Sequence, residues 1–272
     1  MLRCGRFELS LERPLIMGIV NLTSDSFSGD GMASKAAQVV ARAQHLVECG
    51  ADIIDLGAES TRPGSNAVSF SEELRELLPV LDALAGFHVP ISIDTNKPEV
   101  MSAVLEHGAS MINDVYALRL PGAVDVVAQS DCAICLMHMQ GEPRTMQTNP
   151  VYQDVVGEVR QFLSARVLAA NAAGISHDRI VLDPGFGFGK KLEHNTALIR
   201  HMADLSIDGL PILAGLSRKS MLGEITGKPV NERLSASVAI ALLAAQYGAK
   251  ILRVHDVAET RDALMVLREI NQ

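Results

Sequence analysis

Apolar residues along this chain fall into short dense runs, separated by longer stretches in which they recur every three to four positions. The short runs are bounded by Gly, Pro, Asn and Asp and read as strands over 14–20, 52–57, 89–94, 110–113, 133–138, 180–183, 211–215 and 250–254. Helical spacing is clearest over 35–49, 72–84, 98–107, 152–173 and 233–247. Ile, Val and Leu fill consecutive strand positions, as a sheet covered on both faces requires. Three helix-to-strand junctions share one design: Gly50-Ala51-Asp52, Gly108-Ala109-Ser110 and Gly248-Ala249-Lys250. A glycine just past a helix end takes the left-handed conformation that stops the helix. Regular alternation of this kind predicts an α/β chain with parallel strands and right-handed crossovers. Eight units in 272 residues fit a closed (β/α)8 TIM barrel, with an open doubly wound sheet as the alternative. No linker, low-complexity segment or charge block interrupts the pattern, so residues 1–272 are expected to form a single domain.

Polar residues gather where the predicted strands end. The first strand runs into Asn21, followed by Thr23, Ser24, Asp25, Ser26, Phe27 and Ser28. The second ends at Asp55 and runs through Gly57 to Glu59, Ser60, Thr61 and Arg62. Asp94, Asn113, Asp114, His138 and Asp183 close the next four. Ser217, Arg218, Lys219 and Ser220 follow the seventh, and the eighth delivers Arg253, His255 and Asp256. A single Asp or Ser after a strand is often only a helix cap, and Ser34, Ser71 and Asp114 fit that role. Capping does not absorb Asp94, Asn113 and Asp183 together with Lys219 and Arg253, because polar groups inside apolar strands are costly unless they are used. In a parallel barrel all these ends meet at one mouth, where this fold places its chemistry.

The set divides in two by chemistry. Asp94, Asn113 and Asp183 offer carboxylate and carboxamide edges to paired N–H donors, which suits a flat heterocycle with an amino-amide edge. Lys219 is positioned to face that ring's carbonyl oxygen or nitrogen. Thr61, Arg62, Ser217, Arg253 and His255 form a donor-rich, cationic group suited to phosphate or pyrophosphate. Asn21 adds a hard oxygen for Mg²⁺, an ion that takes few protein ligands and keeps several waters. The implied ligand is a heterocycle joined to a pyrophosphate leaving group.

Composition narrows the remaining options. A net charge of −8 argues against nonspecific nucleic-acid binding. No apolar run approaches the roughly 18 residues of a membrane span, and MLRCGRFELSLERP lacks the apolar core of a secretory leader. The four cysteines make no disulfide framework. Cys132 and Cys135 form a C-x-x-C with no second ligand pair, and they read as core residues of a reduced, cytoplasmic protein. The string from Gly185 to Lys190 lacks P-loop spacing and reads as a tight turn that leaves Phe188 free to wall a pocket.

With these residues assembled, the chain closely resembles the bacterial dihydropteroate synthase family. The resemblance rests on Met17–Asn21, Thr23–Ser28, Ile54–Gly64, Ile91–Thr95, Ile112–Asp114, Cys135–Gly141, Leu182–Lys190, Ser217–Ser220 and Arg253–Asp256, in the family's order. It implies condensation of 6-hydroxymethyl-7,8-dihydropterin pyrophosphate with 4-aminobenzoate, giving dihydropteroate and pyrophosphate. It further implies Asp94, Asn113, Asp183 and Lys219 around the pterin, with Met137 and Phe188 as apolar walls. Thr61, Arg253 and His255 would hold the pyrophosphate, and Asn21 the Mg²⁺. Phe27, Arg62, Pro63, Lys219 and Ser220 would border the aminobenzoate, where sulfonamides compete across the family. A homodimer is also implied. Two departures fall in the first loop: Ser24 stands where the family usually has Pro, and Ser28-Gly29-Asp30-Gly31 replaces Ser-Asp-Gly-Gly. Two other readings share the barrel. One is a pterin-dependent methyltransferase serving a corrinoid, and the other is a pterin-binding paralogue without turnover.

Overall fold

The computed structural model describes residues 1–22, 32–59, 68–142 and 145–271. The chain opens with an antiparallel hairpin, β1 (Leu2–Cys4) and β2 (Phe7–Leu9). Eight parallel strands follow: β3 (Leu15–Asn21), β4 (Ile53–Gly57), β5 (Ile91–Asp94), β6 (Met111–Asp114), β7 (Ala133–Met137), β8 (Ile180–Asp183), β9 (Leu213–Ala214) and β10 (Ile251–Val254). They lie in the order β8-β7-β6-β5-β4-β3-β10-β9. A single parallel bridge between Leu182 and Ile212 joins the two ends of that series, and the Leu182 N–H donates to the Pro211 carbonyl at 2.9 Å. The sheet thereby closes into the expected (β/α)8 barrel.

Nine helices are described: α1 (Met32–Glu48), α2 (Phe70–Leu84), α3 (Pro98–Glu106), α4 (Ala123–Ala128), α5 (Val155–Ala172), α6 (Leu192–Arg200), α7 (Ser220–Thr226), α8 (Leu234–Gln246) and α9 (Val257–Ile270). The predicted junction glycines Gly50, Gly108 and Gly248 have φ of 104°, 92° and 111°. That conformation is open to Gly and strained for other residues. Two cap assignments change. The N-cap of α2 is Ser69, not Ser71: its side chain accepts from the Glu72 N–H, and Glu72 reaches back to the Ser69 N–H at 3.0 Å. Ser34 lies inside α1, so it is not that helix's cap.

Strand side chains alternate between two cores. Ile54, Leu56, Ile93, Ile112, Ile134, Leu136, Leu182 and Leu252 face outward and pack under the helices. Leu15, Met17, Ile53, Met111, Ala133, Cys135, Val181, Leu213 and Ile251 face the barrel axis, and Leu2 and Cys4 of the hairpin pack against them. The hairpin therefore seals the end opposite the mouth. Cys132 packs in the outer core and Cys135 in the inner one, so the two thiols of the C-x-x-C lie in different apolar clusters. Among the described residues no helix is long and apolar enough to cross a membrane.

Candidate active site at the barrel mouth

The period of two that sends Ile53 and Met111 inward sends a second set inward one or two steps later, near the C-terminal ends. These residues are Asn21, Asp55, Ser92, Asp94, Asn113, Met137, Asp183 and Arg253. Strand register brings them side by side. Asp55 lies opposite Ser92, Asp94 opposite Asn113, and Met137 opposite Asp183. An apolar plug at the bottom thus gives way to a polar layer at the top.

Arg253 organises the deepest part of that layer. Its Nε donates to Asp55 Oδ2 at 2.7 Å, and its Nη2 donates to Asp94 Oδ2 at 2.9 Å. Ser92 Oγ donates to the other Asp55 oxygen at 2.6 Å. Asp55 and Ser92 have no exposed surface, so the guanidinium is clamped from below. Arg253 Nη1 has no hydrogen-bond partner among the described residues. Burial disfavours the Arg253 charge, but Asp55 and Asp94 outweigh it and hold its pKa above the ordinary value. Burial pushes the Asp94 carboxyl up to about 7, against the opposing pull of Arg253. The two halves read from sequence therefore meet at Arg253, which pairs with Asp94 of the acidic half.

Asp183, at the end of β8, is buried, and its Oδ1 accepts the Gly185 N–H at 2.7 Å. Burial raises its pKa, and Lys219 works against that rise. Lys219 comes from the turn between β9 and α7. Its Nζ donates to the Phe186 carbonyl and lies 4.7 Å from the centre of the Phe188 ring. Burial lowers its pKa to about 8, although Asp183 favours the charged form.

The Ser217–Ser220 turn is held from behind. Arg218 adopts φ 59°, a conformation costly for a side-chain-bearing residue. Its N–H donates to Ser237 Oγ at 3.0 Å, and its guanidinium pairs with Asp256. Arg233 Nη1 donates to the carbonyls of Arg218 and Lys219 at 3.0 and 3.2 Å. Ser217 Oγ and His255 Nδ1 share a hydrogen bond of 3.0 Å, and the His255 N–H donates to the same oxygen at 3.3 Å. Ser220 is exposed and starts α7.

An apolar wall closes one side of the mouth, made of Val115, Met137, Met139 and Met146 with Tyr116 and Phe188. Asn113 stands beside Asp94 with a carboxamide that has no hydrogen-bond partner among the described residues. Asp114 points elsewhere. It accepts the N–H groups of Tyr116 and Leu118 at 2.8 and 2.6 Å and so folds its own loop, a backbone role close to the cap read from sequence. His138 faces outward and packs edge-on against Phe162, with ring centres 4.9 Å apart. Phe27, Thr61, Arg62 and Pro63 lie outside the described residues, as do Ser24, Gly29 and Asp30.

Among the described residues no group of three or more His, Cys, Asp or Glu side chains could hold a metal ion. Asn21 ends β3 at the mouth, with a side chain that has no hydrogen-bond partner among the described residues. One hard oxygen without a carboxylate cage fits an ion such as Mg²⁺ that remains bound mainly to water and phosphate oxygens.

The sequence profile described as "Pterin binding enzyme" matches residues 17–255. The dihydropteroate synthase of Neisseria meningitidis serogroup B is 54% identical over 271 residues, covering 97% of this chain and 95% of the relative. This chain belongs to the dihydropteroate synthase family. The Burkholderia cenocepacia dihydropteroate synthase, solved with 7,8-dihydropteroate, superposes with a TM-score of 0.91 at 49% identity, covering 99% of this chain and 96% of that one. The Yersinia pestis dihydropteroate synthase, solved with a sulfonamide drug complex, gives a TM-score of 0.94 at 43% identity, covering 100% and 99%. Family membership at this identity favours the synthase over the methyl-transfer reading. The geometry adds residues that sequence reading did not assign: Asp55 and Ser92 below Arg253, and Arg233 and Ser237 behind Lys219. Asp55 and Ser92 were visible as inward positions two residues below Gly57 and Asp94. Arg233 and Ser237 carried no local signal, because their partners are backbone groups of a distant turn.

Proposed function

We propose that this chain joins 6-hydroxymethyl-7,8-dihydropterin pyrophosphate to 4-aminobenzoate, releasing pyrophosphate, by an early-dissociating route in the cytoplasm. The observation that carries this reading is the largely buried row Asp94, Asn113 and Asp183, with Lys219 close to Asp183, Met137 and Phe188 in the apolar wall beside them, and Arg253 paired to Asp94. The carboxylates and the carboxamide accept the N–H donors of the pterin's amino-amide edge. Lys219 donates to the ring, and Met137 and Phe188 cover its faces. Arg253 keeps Nη1 for the pyrophosphate, and Ser217 orients His255 toward the same group. Buried carboxylates favour positive charge on the ring as the C–O bond to pyrophosphate breaks. The amine nitrogen of 4-aminobenzoate then attacks the exocyclic carbon and loses its proton. No side chain forms a covalent bond. Bound Mg²⁺, with Asn21 as its protein oxygen, would supply charge neutralisation at the pyrophosphate. Lys219, Ser220, Phe27, Arg62 and Pro63 border the amine, where sulfonamides would compete. The exposed apolar side chains Leu243 and Tyr247 of the α8 region and Met265, Val266 and Ile270 of α9 support a homodimer.

Chelation tests the metal assignment. With EDTA, product formation is expected to cease while pterin binding, measured by calorimetry, persists. Undiminished turnover in EDTA would remove Mg²⁺ from the reading.

The low Lys219 pKa makes a signed prediction. kcat/KM should fall as pH rises through about 8, when the ammonium loses its proton, and Lys219→Arg should move that limb to higher pH. Stability should respond in the opposite sense. Between about 8 and the ordinary 10.5 the unfolded chain binds more protons at this lysine than the folded chain does, so its contribution to stability rises with pH. A pH–rate profile without a limb near 8 would contradict the assignment.

A further inference from the structure

Lys190 is almost fully buried, at 3% exposed. Its ammonium has three N–H donors and three acceptors within 3.0 Å: His138 Nδ1 at 2.9 Å and the carbonyls of Gly185 and Phe188 at 3.0 Å each. Burial and the neighbouring lysine push the His138 pKa down to about 3, so its imidazole is neutral and able to accept. Burial lowers the Lys190 pKa to about 7, and a buried amine held this way is costly unless the geometry it fixes is used.

That geometry is the turn from Gly185 to Gly189. Gly185, Gly187 and Gly189 have φ of 68°, 78° and 61°, and a Cβ on Gly185 would collide with the His138 carbonyl. The turn carries three features of the candidate pterin site. The Gly185 N–H orients Asp183, the Phe186 carbonyl receives Lys219, and Phe188 walls the pocket. Other side chains hold different points of the same backbone. Asn195 Oδ1 takes the Gly187 N–H at 2.8 Å, Gln147 donates to the Gly187 carbonyl, and the Tyr152 hydroxyl donates to the Gly189 carbonyl at 2.9 Å. Among the described residues only Lys190 supplies a side-chain donor to the Gly185 and Phe188 carbonyls, which bracket the segment facing the ligand.

We propose that Lys190 is a positioning residue for the pterin half of the reaction. It acts through the Gly185–Gly189 turn to fix Asp183, Phe188 and the docking point of Lys219 without touching substrate. This inference rests on the function proposed above.

The test compares the unmodified chain with Lys190→Met, which keeps the stem and removes the donors. After normalising to folded protein, KM for the dihydropterin pyrophosphate is expected to rise about tenfold or more, the loss of one or more buried hydrogen bonds. KM for 4-aminobenzoate should rise by a smaller factor, since of the residues bordering the amine only Lys219 docks on this turn. Calorimetric affinity for a dihydropterin should fall in parallel. A lower melting temperature with both KM values and pterin affinity unchanged would reduce Lys190 to a structural role and overturn the inference. Should Lys190→Met fail to fold, Lys190→Gln, which retains a donor for one carbonyl, is read by the same comparison. Failure of the unmodified chain to bind any dihydropterin overturns the functional reading together with the inference. Equal binding by the unmodified chain and the variant overturns the inference alone.

Discussion

Arg253→Met is expected to lower both stability and turnover, and a second substitution separates the two losses. Removing the guanidinium leaves Asp55, fully buried, and Asp94, largely buried, with their cation gone. Breaking a buried ion pair from one side costs about 3–5 kcal/mol. For a chain of this size that corresponds to a fall in melting temperature of roughly 10 °C. Turnover should drop about 100-fold or more, because the donor proposed for the leaving group disappears with the ion network. Adding Asp55→Asn removes one stranded charge, so the double variant should recover part of the melting temperature and none of the turnover. Thermal melts and initial rates on the three proteins check this. Recovery of turnover in the double variant would show that Arg253 serves only to neutralise Asp55.

The second large effect is expected at Asp183. Asp183→Asn preserves shape but presents an NH₂ group where, on the proposed reading, the pterin's N–H donors find their acceptor. Dihydropterin affinity should fall about 100-fold, the cost of leaving buried donors unsatisfied. Stability should hardly change or should rise, because burial already disfavours this carboxylate, as its raised pKa shows. Calorimetric titration with a dihydropterin, paired with a melt, reads both signs. Unchanged affinity would remove Asp183 from the pterin site.

The fold was largely legible because its signal is repeated. Eight runs of Ile, Val and Leu, with five clear helical stretches between them and three of the runs entered through the same Gly-Ala junction, leave few architectures. The N-terminal hairpin was not legible, since strands of three residues hold too little periodicity. Neither was the choice of Ser69 over Ser71, which turns on the three-residue step to Glu72 that a capping box needs. The upper rim of the candidate site was read from strand ends, Asp55 among them, whereas the place of Asp55 and Ser92 beneath Arg253 was not. Asp55 sits two residues below the end of β4, where stepping by two from Ile53 would have placed it inward. Lys190 was hidden for a different reason. A lysine after a glycine string looks like part of a phosphate loop or a solvated turn, and only the fold shows its ammonium turned inward onto carbonyls.

The view of Arg253 also changes what the residue is expected to do. From sequence it belongs with the phosphate-binding cations; in the structure two of its three nitrogens are committed to carboxylates. A guanidinium held in this way is fixed in place before ligand arrives. Less ordering is then left for binding, as electrostatic preorganisation requires.

A single-turnover experiment tests most directly whether this mouth joins a pterin to an aromatic amine. The purified chain, in excess over dihydropterin pyrophosphate and supplied with Mg²⁺ and 4-aminobenzoate, is quenched at intervals and assayed for both products. Dihydropteroate and pyrophosphate should appear together in a one-to-one ratio, and both should form about 100-fold more slowly in Arg253→Met. Binding of the dihydropterin without formation of dihydropteroate would contradict the account.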